Sequence, residues 1–391
     1  MRVVRFRAYL LHLPLRKEIK HASTSRHEST NVLIGCELED GTVGWGEGVP
    51  RSYVTGETPE GAIAQWQASN LAQFGRDCQN WSDVIKLCRE FSLAQMQDDP
   101  RECYGNALRC AVELSLLDAF GIRFGEPVNR IVPLIAEAEP VRTHLEEVRY
   151  SGAVTAEKPF KEVISALKMR IYGFQHCKVK VGISANEGDR LKRIRQVLGK
   201  RIVIRVDANE AWPIDQVVSR IEPLLPADIA CVEQPSLHEE VEGLAEVRRQ
   251  IDVPIMLDES LTSMVDANAA IQAQTCDLFN IRLSKCGGFL RSLDLAACAQ
   301  RHGLGYQLGC HPGESGILSA AGRHWATSVA DIRFLEGSYD RHLLKDQLTR
   351  PDITFQYGGR ARRIDRPGLG VSIDPQAIDR LAESQGTYEV S

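Results

Sequence analysis

Residues 177–182 read Cys177-Lys178-Val179-Lys180-Val181-Gly182, two lysines two positions apart inside what is otherwise a buried apolar strand. Strand alternation sets Lys178 and Lys180 on one face and Cys177, Val179 and Val181 on the other. A buried lysine is costly unless it is paired or put to use, and burial lowers its pKa toward the range of a useful base. Taken alone, a Lys-x-Lys pair is more often a solvated strand face. The chain that follows changes that reading.

Short apolar runs recur after this strand, each ending in an ionisable residue. Residues 201–206 end at Asp207, 229–232 at Glu233, 253–257 at Asp258, and 278–283 near Lys285. These tips lie 25–27 residues apart, and the same step leads on to His311 and Glu336. Helix-like segments between strands on one period are the mark of repeated βα units. The expected fold is α/β, a (β/α)8-type (TIM-like) barrel, whose functional groups gather at the C-terminal ends of the strands.

Any one of the three carboxylates would pass for a helix cap. In step, Asp207, Glu233 and Asp258 form an all-oxygen set suited to Mg²⁺, with Mn²⁺ as the alternative ion. If Lys180 ends the second strand and Lys285 the sixth, they stand four strands apart in a ring of eight and face each other. A substrate carboxylate on the metal would then place its α-carbon between two lysines. Loss of the α-proton leaves an enediolate, which a divalent cation stabilises. The cation and Lys178 would lower the pKa of a neighbouring lysine, so that a neutral amine is available.

These motifs resemble the enolase superfamily, specifically its muconate lactonizing enzyme subgroup. The matching pieces are Lys178-Val179-Lys180, Asp207-Ala208-Asn209, Val232-Glu233-Gln234-Pro235, Leu257-Asp258-Glu259-Ser260, and Lys285 with Gly287-Gly288. Trp45-Gly46-Glu47 and Pro367-Gly368-Leu369-Gly370-Val371 extend the likeness toward both ends. The resemblance implies that Lys180 and Lys285 are the acid/base pair, that Asp207, Glu233 and Asp258 bind Mg²⁺, and that Lys178 stabilises substrate or intermediate. It also implies an α+β capping domain built from the N-terminal region and the C-terminal tail.

The expected division is 1–130 for the cap, 131–345 for the barrel, and 346–391 for the return to the cap. Strands are expected at 3–13, 30–38 and 43–47, then helices near 60–74, 83–93 and 106–120, the last closed by Gly121. Two cap loops, 15–29 and 48–58, should close over the barrel mouth, and they carry Lys20, Arg26, Arg51 and Tyr53 among their polar residues. Candidate substrate contacts are Asn209, Glu259, His311, Glu314, Glu336, Tyr53 and Lys20.

The 391 residues carry 47 Lys and Arg against 52 Asp and Glu, a net charge of −5 with no basic stripe, which argues against a nucleic-acid partner. The start lacks the apolar core of a signal peptide, and no apolar run is long enough to span a membrane. The eleven scattered cysteines lack Cys-x-x-Cys pairs and read as reduced thiols of a cytoplasmic protein. A homo-oligomer is expected, with a small-molecule carboxylate as substrate.

The leading function is Mg²⁺-dependent abstraction of a proton α to a carboxylate, muconate cycloisomerase-like. The alternatives are a racemase or epimerase of N-acylated amino acids or dipeptides, and an acid dehydratase. Dipeptide epimerases of the resembled subgroup carry Asp-x-Asp at the end of strand eight for an α-ammonium, where this chain has Glu336-Gly337-Ser338. That departure and the cationic loops favour a dicarboxylate or an N-acylated amino acid. A non-catalytic binding barrel would be expected to have lost a lysine or a carboxylate, and phosphate-ester hydrolysis needs no opposed lysines.

Overall fold

A computed structural model of the protein describes residues 1–20, 25–156, 158–184 and 186–390, without the side chains at 19, 20 and 25. The cap sheet is built from β1 (Val3–Lys20), β2 (Ser25–Leu38) and β3 (Val43–Gly48). The segment expected to be a loop at 15–29 is largely strand: β1 and β2 run on as one long hairpin, pairing as far as Lys20 with Ser25. Helices α1 (Pro59–Ala68), α2 (Trp81–Glu90) and α3 (Asn106–Phe124) cover the sheet.

Helix α3 does not stop at Gly121. It runs through that residue to Gly125, which takes φ +69° and closes the helix in the left-handed region. Gly121 instead lets the chain at Gly368 approach closely, since a Cβ there would sit 2.7 Å from Gly368 Cα. The seam between β3 and α3 is made the same way. Gly44, Gly46 and Gly48 lie on one strand face, and a Cβ on Gly46 would stand 1.9 Å from Ala111 O. Alternate glycines thus replace side chains where strand and helix backbones touch.

After a short strand β4 (Glu147–Arg149), the barrel alternates strand and helix. Its order is β5 (Gly152–Val154), α4 (Pro159–Ile171), β6 (His176–Lys180), α5 (Glu187–Leu198), β7 (Val203–Asp207), α6 (Val217–Ile221), β8 (Ile229–Glu233) and α7 (Leu244–Gln250). It continues with β9 (Ile255–Leu257), α8 (Met264–Ala273), β10 (Leu278–Ile281), α9 (Phe289–Arg301), β11 (Gly305–Leu308), α10 (Gly316–Ala326), β12 (Ile332–Leu335) and α11 (Asp340–Leu343). Among the described residues β5 to β12 form one parallel sheet in sequence order. The Ser151 N–H donates to Leu335 O at 2.8 Å and ties the last strand to the first. The fold is therefore the expected (β/α)8-type barrel with an α+β cap.

The chain then returns to the cap. Strands β13 (Thr349–Arg350) and β15 (Ser372–Ile373) pair with each other, and β14 (Arg360–Arg362) pairs with β4. Helix α12 (Pro375–Leu381), capped by Asp374, precedes β16 (Ala382–Glu389), which adds to the cap sheet beside β1. All eleven cysteines are free and ten are buried. Among the described residues no helix is long and apolar enough to cross a membrane.

Candidate active site

Alternation along the barrel strands decides which side chains enter the lumen. Cys231, Met256, Leu278 and Phe334 form a small apolar cluster apart from the main core. Two residues further along their strands stand Glu233, Asp258, Asn280 and Glu336, and on β6 and β7 the same face carries Lys178, Lys180, Arg205 and Asp207. Lys180 is the register partner of Asp207, and Asp207 of Glu233. The base candidate and two of the carboxylates thus end three adjacent strands side by side.

Lys178 Nζ lies 3.1 Å from Asp207 Oδ2, 2.9 Å from Glu233 Oε1 and 2.9 Å from Glu336 Oε1. Burial opposes its charge, but those three carboxylates outweigh it and hold the ammonium well above the usual lysine range. Glu336 is also bound by Arg205, which is fully buried and lies over the Phe334 ring. Burial penalises the Glu336 charge, yet Lys178 and Arg205 bring its pKa down to about 2. Glu233 is pushed the other way, to about 8, by burial and by the charge of Asp207.

The sixth barrel strand departs from the expected layout. Lys285 is 2% exposed, and its Nζ donates to Asp258 O at 2.6 Å, Asp258 Oδ1 at 2.7 Å and Asn280 O at 2.8 Å. Its ammonium is thus held by two backbone carbonyls and by the Asp258 carboxylate. Arg282 takes the inward position. Its guanidinium pairs with Asp258 Oδ2 and lies 3.7 Å from Glu233 Oε1, while Asn280 Nδ2 donates to that same Glu233 oxygen at 2.9 Å. The reason is strand period: β10 ends at Ile281, so positions 278, 280 and 282 share the inner face, and 285 lies in the following turn. The step from Asp258 to the strand-six tip is 24 residues, shorter than the even spacing of the other tips had suggested.

Among the described residues no three acidic, histidine or cysteine side chains gather closely enough to hold a metal ion as they stand. The cations of Lys178 and Arg282 lie between the carboxylates. The donor chemistry nonetheless fits a hard divalent cation: three carboxylates tip consecutive strands, and Glu233 Oε2 is buried with no hydrogen-bond partner among the described residues. Burial raises the pKa of Asp258, but Arg282 and Lys285 overcome it and bring it to about 2, so that carboxylate stays ionised.

The other candidates lie around this centre. Asn209, at φ +45°, donates its backbone N–H to Asp207 Oδ1 at 3.1 Å and its amide to Glu259 Oε1 at 3.4 Å. Glu314 accepts the His311 backbone N–H at 2.6 Å. The His311 ring is buried with neither nitrogen hydrogen-bonded among the described residues, and burial together with the charges of Arg282, Arg51, Lys285 and Arg26 holds its pKa well below the usual histidine value. Tyr53 OH accepts from Arg26 Nη2 at 2.6 Å, and Arg51 donates to Ser29 Oγ at 2.6 Å. The Nε atoms of both arginines are buried without a hydrogen-bond partner among the described residues. The Lys20 side chain lies outside the described residues.

Two inward cations, Arg205 and Arg282, and the amide of Asn280 were absent from the sequence-derived set. The signal was available: Asn280-Ile281-Arg282 alternates as Lys178-Val179-Lys180 does.

Residues 162–377 match the family model described as "Enolase C-terminal domain-like". The chain is 28% identical to N-succinyl-L-Arg/Lys racemase of Bacillus cereus, over 98% of this chain and 99% of that protein. It superposes on the solved structure of the Bacillus cereus racemase with a TM-score of 0.86 at 26% identity, covering 100% of both chains. It is 30% identical to L-Lys-D/L-Arg epimerase of Methylococcus capsulatus, over 92% of this chain and 96% of that one. It is 26% identical to muconate cycloisomerase 1 of Rhodococcus opacus, over 96% and 97%.

Proposed function

The chain belongs to the enolase superfamily, and on that premise we propose that it is an enzyme in which Lys180 takes a proton from the carbon α to a substrate carboxylate. The observation that carries this reading is the register pairing of Lys180 with Asp207 and of Asp207 with Glu233. It sets an amine beside the carboxylates that would hold a cation. Asp207, Glu233 and Asp258 are the residues proposed to bind Mg²⁺, which when bound would stabilise the negative charge that builds on the substrate carboxylate as an enediolate forms. Lys178 braces two of these carboxylates from the β6 side and would offer its ammonium to the same anion. Arg282 braces the set from β10.

The substrate we propose is an acid with a second anionic group, either a dicarboxylate or an N-acylated amino acid whose acyl chain ends in a carboxylate. Two features support this class. Arg26 and Arg51 bring buried, unsatisfied N–H donors to the cap side of the site. Glu336, the residue best placed by sequence to meet an α-ammonium, is already bound to Lys178 and Arg205. A free amino terminus would have to compete with both cations. We further propose a cytoplasmic homo-oligomer.

The test is proton NMR in D₂O with Mg²⁺, using muconates, N-succinyl amino acids and dipeptides. Loss of an α-proton signal that requires both the metal and Lys180 is the expected result. Folded wild type that exchanges no α-proton from any of these acids would sink the proposal.

A further inference from the structure

On this reading of Lys180 as the proton acceptor, we infer that the site is a one-base site: its opposite wall carries Arg282 in place of a second lysine, so the enzyme moves a proton on one face of the α-carbon only. Strands β6 and β10 are four apart in the eight-stranded sheet and so face each other across the lumen. The inner face at the end of β10 carries Arg282, whose guanidinium reaches Glu233 and Asp258.

Lys285, three residues beyond Arg282, is held on three oxygens, two of them backbone carbonyls of Asp258 and Asn280. Freeing its amine to enter the lumen would strip all three bonds and leave buried carbonyls unsatisfied. The neighbouring strand is shaped for the arginine and its companion. Position 309 is glycine, and a Cβ there would stand 2.2 Å from Asn280 Oδ1 and 3.1 Å from Arg282 Cγ. A guanidinium remains protonated throughout the range in which enzymes work, so it attracts an anion and orients it but does not accept a proton.

The step balances with one base. Neutral Lys180 Nζ takes the α-proton and becomes an ammonium, while the C–H electron pair moves into the carboxylate. The intermediate then collapses in one of two ways. The same ammonium returns a proton to the same face, or the electron pair expels a β-substituent and forms a double bond. Run backwards, the second route is addition with protonation by Lys180, as in a cycloisomerisation. Inversion of the α-carbon would require a titrating proton donor on the Arg282 side, and among the described residues the end of β10 offers the guanidinium in that place. The chain therefore does not share the inversion chemistry named for its racemase and epimerase relatives.

The experiment uses N-acylated amino acids of each hand, separately, with the full-length protein and Mg²⁺ in D₂O, read by NMR and by chiral chromatography. Wild type should place deuterium on one enantiomer with configuration kept, and should leave the other unchanged. Arg282→Lys, which puts an amine in place of the guanidinium, should gain interconversion of the two hands. Interconversion by wild type that Lys285→Ala abolishes would overturn the inference while leaving proton abstraction intact. Absence of exchange in every protein and on both enantiomers would instead overturn the proton-abstraction reading, and this inference with it.

Discussion

Lys285 Nζ donates to the carbonyl oxygen of Asn280 at 2.8 Å, five residues back along its own chain, and so closes the turn that follows β10. The same ammonium holds Asp258 through both its carbonyl and its carboxylate. One lysine thereby fixes the ends of two neighbouring strands, one bearing a proposed metal ligand and the other leading to Arg282.

Lys285→Met should therefore act first on folding. It leaves Asp258 with Arg282 as its partner and orphans two buried carbonyls, a change that costs roughly 2–4 kcal/mol. Urea denaturation followed by circular dichroism reads the loss. Unchanged stability joined to lost turnover would instead make Lys285 a catalytic group.

Asn106 does similar work from the cap. Its amide donates to Lys285 O at 2.7 Å and to Thr262 O at 2.8 Å, so helix α3 grips the turns that follow β9 and β10. Asn106→Ala orphans two buried acceptors, and roughly 2–4 kcal/mol of stability should go with them. Because those turns lie beside Asp258 and Arg282, turnover should fall further than the unfolded fraction accounts for. Comparing specific activity with the folded fraction across a urea series would check this, and proportional losses would reduce Asn106 to a fold residue.

The barrel was readable in the sequence because its strands end in charged residues on a near-constant step, a signal that survives uncertainty about each strand's edges. The site was readable where a strand showed period-two alternation around a charged pair, as at Lys178 and Lys180. At β10 the two signals part: the even step of the other tips points to Lys285, while alternation points to Arg282. Counting residues between tips averages over turn lengths, whereas alternation follows backbone geometry, and it is Arg282 that reaches both Asp258 and Glu233. Gly121 misled for a related reason. A glycine after an apolar helix reads as a cap, but at this position the missing side chain makes room for Gly368. Long-range approach of that kind leaves no local trace. Strand β16 was also hidden, since its exposed, polar sequence takes its order from pairing with β1.

Glu47 links the cap to the barrel and should make stability depend on pH. It accepts from Ser315 N–H at 3.0 Å and from Ser315 Oγ–H at 2.7 Å, and burial pushes its pKa from 4.5 up to about 7. The folded state thus holds this proton more tightly than the unfolded chain does. Stability contributed by the protonated form is full below about 4.5 and declines as pH rises to about 7, by roughly 3 kcal/mol at about 1.4 kcal/mol per unit. Glu57, also raised to about 7 by burial, adds a slope of the same sign, so the comparison must be between proteins and not between pH values alone. Glu47→Gln should flatten the decline between pH 5 and pH 8 in urea titrations. A variant whose slope matches wild type would show that Glu47 stays ionised in the fold.

Metal binding at Glu233 should displace a proton. Burial and the charge of Asp207 raise Glu233 to about 8, so near neutral pH this carboxyl is protonated for much of the time in the metal-free protein. A divalent cation requires the carboxylate, and its binding must therefore release a proton. Mg²⁺ affinity should climb as pH rises from 6 toward about 8 and level off above it. Calorimetry in buffers of different ionisation enthalpy should show close to one proton released at pH 7. Glu233→Gln removes both the ligand charge and the titrating group, so affinity should drop at least about tenfold, the equivalent of 1.4 kcal/mol, and proton release should vanish. The drop cannot be blamed on a collapsed site if the Lys178 and Asn280 contacts survive, because a glutamine oxygen still accepts from both. Equal affinity in the two proteins would remove Glu233 from the ligand set. Weaker binding with proton release intact would move the titrating carboxyl to a different residue.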